Sequence, residues 1–443
     1  MKKIFPYLFL ILAVVFYVSK DYYGLLGCFS GFLLLNGLVH DKVNTRFLSF
    51  YFLIYLFIPF LNISNYRGTV TINTLAWYCM VQFTILLIFQ IFESPPSRFR
   101  VKTYLVATND TQLLFYGHMF FVWGLVAYVY MTIGPVVIRQ DLRFTIPPVI
   151  EYLIKSGLII PLVWLYSANL KLDLRTIVLR FLLPITPSLL IGSRGTFIMI
   201  LISLFISLFL FRKLKSQVYL KRFKWLFSRS RTVVTLGVLI GVFALYSGFY
   251  LRRDGKDLIT PDELIREYSF SAQGNLVMAI LPIYLNFRET VGITNRIIEE
   301  KVTNTYSPYP LFFAELVTIL PGHQEAPGII LAQQVYSAQG SDEKYSLTPG
   351  IVGGLFMDYG YYSLFLIAAL TGIVVYLFNL GRMDIRYILI YSFTIVQFLH
   401  LYHRGFLKIE YLFPYLILFV YLKTTRTRKV PALIPKEKAR LKL

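Results

Sequence analysis

The sequence predicts an all-α polytopic membrane protein with about twelve transmembrane helices. Three observations carry that prediction. Of the 443 residues, 56% are hydrophobic and only 15% charged, and the mean hydropathy is +0.62, a balance foreign to soluble domains. The apolar residues gather in recurring runs of roughly 16–20, close to the length a helix needs to cross a bilayer. Lipid offers the backbone no hydrogen bonds, so such runs close their bonds internally as helices.

In chain order the spans fall at 5–18, 22–39, 47–63, 75–92, 113–133, 149–168, 176–191, 196–211 and 232–249. Three more follow at 353–379, 387–402 and 406–422. The opening "MKKIFPYLFLILAVVFYVSK" has the Lys2–Lys3 start and apolar run of a signal peptide. It carries no small-x-small cleavage site and reads as a retained first span. Pro59, Pro161, Pro184 and Pro187 are expected to kink their helices. Cys28 and Cys79 both fall inside apolar runs, which argues against a disulfide or a zinc site. The chain thus divides into an N-terminal bundle (1–249), a long loop (250–348), a second helical group (349–422) and a basic tail (423–443). Within the loop, "NLVMAILPIYL" (275–285) and "PLFFAELVTILPG" (310–322) are too short to span. They are expected to form short interfacial or re-entrant helices.

Charge fixes the orientation. With a cytoplasmic N-terminus and alternating spans, the inner segments hold 27 Lys/Arg against 6 Asp/Glu, and the outer segments 14 against 14. This is the positive-inside bias. It accounts for the net charge of +21 without a nucleic-acid partner, because basic loops sit well against anionic membrane lipid. Both termini are then cytoplasmic and the long loop is extracytoplasmic.

On the outer face arginine displaces lysine, ten to four. A guanidinium presents a planar fork of donors suited to phosphate oxygens, whereas an ammonium is a point charge. That face therefore suits a phosphorylated lipid. Arg194, in "GSRG", lies between two apolar runs. Gly192 and Gly195 would let a phosphate approach the backbone, and the helix starting at Thr196 adds N–H groups and a positive dipole end. The same residue would also serve as a surface arginine in a tight turn, and both readings stand. Arg252 and Arg253, in "YLRRDG", follow a span directly, and Arg266, in "TPDELIREY", lies on a short helix capped by Thr260.

His403 and Arg404, in "LYHRGF", occupy another outer turn. His323 and Glu325, in "LPGHQEAPG", are bracketed by prolines that restrain the loop. Asp358, in "TPGIVGGLFMDYGYY", is either a catalytic carboxylate at the base of an outer cavity or an acid placed near a helix start. Inside the spans, His118 reads as a core histidine bonded to a neighbour. Glu151 and Lys155, spaced i,i+4, read as a neutralised pair. The chain has no Walker loop, HExxH, paired CxxC or DxD, and "IGSRGTF" is not a GxSxG elbow.

The span pattern, with "GSRGTF", "ELVTILPG" and "SLTPGIVGGLFMDYGYYSLFL", resembles the bacterial oligosaccharide repeat-unit polymerases, the Wzy-type O-antigen and capsule polymerases. That resemblance implies a GT-C-like membrane glycosyltransferase of the bacterial cytoplasmic membrane with an outward active site. The growing glycan would pass from polyprenyl (undecaprenyl) diphosphate to the non-reducing end of a fresh lipid-linked repeat unit. The resemblance further implies no metal or other cofactor, and a chain-length regulator as a protein partner. Arg194, Arg252, Arg253, Arg266 and Arg404, with His403, would hold and neutralise the diphosphate. His323, Glu325 and Asp358 are the candidates for acid–base work. Two alternatives stay open: a flippase or transporter of lipid-linked oligosaccharides, which should carry intramembrane charge and related halves, and an O-antigen ligase-like enzyme with a different acceptor.

Overall fold

Every long apolar run that the structure covers is a helix. This computed structural model describes residues 4–64, 66–95, 103–136, 142, 145–170, 173–191, 194–213, 217–222, 275–303, 309–317, 327–336, 347–407 and 409–429. Helices α1 (Phe5–Val18), α2 (Tyr22–Val39), α3 (Val43–Phe60) and α4 (Ile72–Phe92) follow one another. Asp21 and Thr71 cap α2 and α4 by accepting from the backbone N–H of Gly24 and Thr74. Strand β1 (Thr103–Ala107) leads into α5 (Asn109–Thr132), which Thr108 and Thr111 close with a reciprocal capping box. α6 (Pro148–Lys155) and α7 (Ile159–Tyr166) meet at a 3₁₀ turn, Ser156–Leu158, and run on as one apolar rod. A short α8 (Leu174–Ile177) passes through a π segment, Val178–Leu182, into α9 (Leu183–Leu190). α10 (Arg194–Lys213) and α11 (Gln217–Arg222) follow.

The second half begins with α12 (Asn275–Glu299), α13 (Leu311–Val317) and α14 (Pro327–Tyr336). Then come α15 (Gly350–Tyr359), α16 (Ser363–Leu380), α17 (Ile385–Arg404), α18 (Ile409–Thr424) and strand β2 (Thr425–Lys429). Among the described residues, seven helical stretches are long and apolar enough to cross a membrane, with shorter apolar helices at Phe5–Val18, Ile202–Arg212 and Leu412–Thr424. Phe120, Met131, Phe365 and Leu416 stand exposed on the outside of these helices, a surface that suits lipid and not water. The chain is an all-α membrane protein.

Two expectations change. The stretch expected as a short helix over 275–285 continues to Glu299, because "NFRETVGITNRIIEE" is amphipathic, burying Arg288, Thr290 and Thr294. The stretch expected as one span over 353–379 breaks at Gly360, whose φ of 55° only glycine adopts freely. α15 thereby packs on α12 and α17 while α16 packs on α4, whose Trp77 donates its indole N–H to the Val352 carbonyl and meets the rings of Phe356 and Tyr361.

The helix ends sort into two groups. At one end β1 pairs antiparallel with β2, and Asn169 exchanges hydrogen bonds with Ala107. Thr103 accepts from Ile385 N–H, and Asn379 bridges Ser94 and Phe92. Strand β2 and its surroundings carry the exposed cations Arg426, Arg428 and Lys429, so this is the basic end. Here buried Glu93 accepts from Asn44 N–H and Nδ2 and from Thr45 N–H and Oγ1, capping the start of α3 from a neighbouring helix. At the opposite end gather the 61–71 loop, α12, α13, the start of α15 and the close of α17. The expected span 232–249, on which the alternation between the two halves depends, lies outside the described residues.

The pairs expected in the interior are present. Lys155 and Glu151 stand 2.7 Å apart. His118 lies between Tyr421 Oη at 3.1 Å and Ser156 Oγ at 2.8 Å.

Candidate functional site: a recess at the opposite end

Helices α3 and α17 run parallel and in register. Tyr391 donates to Asn44 Oδ1 at 2.6 Å, Tyr51 to the Leu399 carbonyl at 3.3 Å, and Tyr55 Oη lies 3.4 Å from His403 Nδ1. The offset between partners is 347 or 348 residues each time. Arg404, the last residue of α17, therefore comes level with the residue after Tyr55, and α3 continues to Phe60 above it. At 1.5 Å per residue the close of α17 is recessed by about 6 Å.

Glycines let the floor of this recess close. Gly405 ends α17 in the left-handed region at φ 91°, its N–H returning to the Leu401 carbonyl. A Cβ there would lie 2.5 Å from the Gly350 carbonyl oxygen, so the two glycine backbones touch. Gly350 (φ 64°) is in turn held against the Tyr402 carbonyl and Thr290. The small residues of "TPGIVGG" thus let the start of α15 meet both α12 and α17.

One wall is the 61–71 loop, and Arg288 holds it. This guanidinium, wholly buried, donates Nη1 to the Pro59 carbonyl at 2.6 Å and Nη2 to Asn62 Oδ1 at 2.8 Å. It also donates Nη2 to the Gly68 carbonyl at 2.5 Å and Nε to the Tyr66 carbonyl at 3.3 Å. A buried cation is tolerable because carbonyl dipoles satisfy it, one of them at the negative end of α3. Asn62 closes the loop by pairing with both the N–H and the carbonyl of Val70.

Four chemically able side chains lie near this helix end: Arg67 from the loop, Glu289 from α12, and His403 and Arg404 from α17. Arg67 has φ 59° and backs directly onto Gly292, where a Cβ would approach its own Cβ to 2.4 Å. Glu289 is half-buried, and burial raises its carboxyl above the ordinary carboxylate range, opposed by the nearby Arg67 and Arg404 charges. Among the described residues, neither the Glu289 nor the Arg404 side chain makes a hydrogen bond. His403 is packed by Tyr55 and Phe287, with Nδ1 facing Tyr55 and Thr290 Oγ1 and Nε2 buried with no hydrogen-bond partner among the described residues. Thr290 donates to the His403 carbonyl at 3.2 Å, tying α12 to α17 next to Glu289.

No family model, characterised protein or solved structure matches this chain. The chemistry of the recess is read from its own residues.

Of the sequence-predicted site residues, His403 and Arg404 lie in the recess. Asp358 does not open onto it as a free carboxylate: Oδ1 accepts from Leu311 N–H at 2.7 Å and Oδ2 from Phe312 N–H at 2.8 Å. It holds the first turn of α13, an acid at a helix start after all, though the helix is not its own. Arg194 opens α10, and its side chain is outside the described residues. Its height follows from α17. Tyr166 Oη bonds both Ser207 of α10 and Ser392 of α17, and the same number of residues outward from each reaches Gly195 and Arg404. The start of α10 is therefore level with the recess. Arg252, Arg253, Arg266, His323 and Glu325 lie outside the described residues.

Glu289 was not singled out from sequence, and Arg67 only as one outer arginine among many. The signal for Glu289 was faint: "FRETVG" places a carboxylate directly after an arginine whose charge turns out to be wholly engaged elsewhere. Two guanidiniums flanking a recess can hold an anion of two phosphates, and a carboxylate between them can hold or take a proton.

Proposed function

We propose that this protein polymerises lipid-linked oligosaccharide repeat units, with the basic end in the cytoplasm and the recess on the extracytoplasmic face. The growing glycan leaves polyprenyl diphosphate and joins the non-reducing end of an incoming lipid-linked unit. The observation that carries this reading is the pair Arg67 and Arg404 acting on Glu289 at the recess, with the start of α10 at the same height. A diphosphate leaving group develops charge as its bond to the sugar breaks, and fixed guanidiniums stabilise that charge. Arg404 suits the task because nothing among the described residues binds its donors. His403 and Thr290 fix the end of α17 on α12 and so set where Arg404 stands.

The test is the size ladder of the surface glycan after deletion of the gene, followed by complementation with Arg194→Ala or Arg404→Ala. Collapse to a single repeat unit, not rescued by either variant at normal protein level, supports the polymerase. Long chains stranded on the polyprenyl carrier would instead make the protein a ligase, and repeat units retained on the cytoplasmic leaflet would make it a flippase.

A further inference from the structure

The carboxylates whose side chains are described at the opposite end can be accounted for one by one. Asp21 caps α2, and Glu151 pairs with Lys155. Glu299 accepts from Thr71 Oγ1 and Asn73 Nδ2, and Glu300 pairs with Arg296. Asp358 is engaged at both oxygens by the start of α13. Among the described residues whose side chains are placed at this end, Glu289 alone has a carboxylate with no hydrogen bond and no ion pair within contact distance. Yet it is half-buried, where an acid without a task is costly.

Its surroundings keep it in place. Arg288, the residue before it, points its guanidinium into the loop carbonyls, and Thr290, the residue after it, is bonded to α17. A helical segment anchored on both sides leaves little freedom to the side chain between. The charged groups that act on it are Arg67 from the loop and Arg404 from α17. Burial is the larger influence and raises its carboxyl, and the Arg67 and Arg404 charges oppose that rise.

We infer that Glu289 is the general base of the glycosyl transfer, an assignment that rests on the polymerase reading above. The acceptor hydroxyl oxygen attacks the anomeric carbon of the donor sugar. As that C–O bond forms, the bond from the anomeric carbon to the diphosphate oxygen breaks and its electron pair leaves on the diphosphate, held by Arg67 and Arg404. The hydroxyl proton passes to a Glu289 carboxylate oxygen and then to water. A single displacement of this kind inverts the anomeric centre, so each new linkage has the configuration opposite to the donor bond.

The full-length protein in lipid nanodiscs is given the lipid-linked repeat unit extracted from a strain lacking it, and binding and chain growth are measured for wild type, Glu289→Gln and Glu289→Asp. For Glu289→Gln the expectation is binding within about threefold of wild type and turnover lower by about a hundredfold or more. Azide, which needs no deprotonation, should restore donor cleavage in this variant and yield an inverted glycosyl azide. Turnover within tenfold of wild type, or no response to azide, overturns the assignment. If Glu289→Gln fails to fold, Glu289→Asp decides: the acidic limb of its pH–rate profile should move, and an unmoved limb overturns the base role. Wild type that binds the substrate but never extends it removes the polymerase reading itself, and the base role with it. Normal wild-type growth with an indifferent Glu289→Gln removes the base role alone.

Discussion

Replacing Arg288 with methionine should loosen one wall of the recess without emptying the space its stem fills. The wild-type guanidinium makes four hydrogen bonds, three to carbonyls of the 59–68 segment and one to Asn62. Bonds to a charged group contribute about 1.5–3 kcal/mol each, but they share one side chain and do not add. One of the four is long, and the orphaned carbonyls gain water once the loop opens. A loss of about 3 kcal/mol in the local opening free energy of the loop is therefore expected, which corresponds to about a 150-fold faster opening equilibrium. The amides that report it are Val70 N–H, held by Asn62, and Thr71 N–H, held by Asn295. Hydrogen exchange of peptides covering 61–71, compared between wild type and Arg288→Met in the same detergent, reads the change directly. The α5 peptides, which do not touch Arg288, serve as the internal reference. If exchange over 61–71 stays within threefold of wild type while the protein remains folded, Arg288 is not what holds this loop.

Two further substitutions probe the packing and the basic end. Gly405→Ala places a methyl 2.5 Å from the Gly350 carbonyl in a left-handed backbone. The backbone term alone costs about 1–2 kcal/mol, so melting in detergent should come several degrees earlier, and an unchanged melting temperature would show that the two glycines do not touch. Burial of Glu93 pushes its carboxyl up from 4.5 to about 7, so the folded state holds that proton more tightly than the unfolded chain. The resulting stability is complete below the ordinary carboxylate value and is lost as pH rises through about 7. Wild type should therefore lose about 3 kcal/mol relative to Glu93→Gln across that window, and a pH-independent difference between the two would sink the argument.

Much of this organisation was legible because it follows from one-dimensional signals. The alternation of basic and mixed loops foretold which segments meet. Residues 103–107 and 425–429 were both assigned to the inner side, and they pair as β1 and β2. Glu151–Lys155 and the bonded His118 were legible because helical spacing and lipid leave such groups few alternatives. The recess was only half legible. His403 and Arg404 stood out at a turn between apolar runs, but Glu289 sits in a polar helical stretch that hydropathy does not flag. Its freedom is defined by what Arg288 and Thr290 do in three dimensions. Asp358 was legible only as one of two readings, because the helix whose first turn it holds arrives from more than forty residues earlier in the chain.

The pairing of β1 with β2 has a consequence for how the protein is made. β1 lies between the fourth and fifth helices, whereas β2 comes after every crossing helix among the described residues. While the ribosome inserts the intervening segments, β1 must wait with one edge open at the membrane surface. The basic end becomes whole only when residues 425–429 emerge. A nascent chain interrupted just short of Thr425 would hold every described membrane helix and still present an unpaired strand, a mark by which proteolytic surveillance could tell an unfinished molecule from one that has paired it.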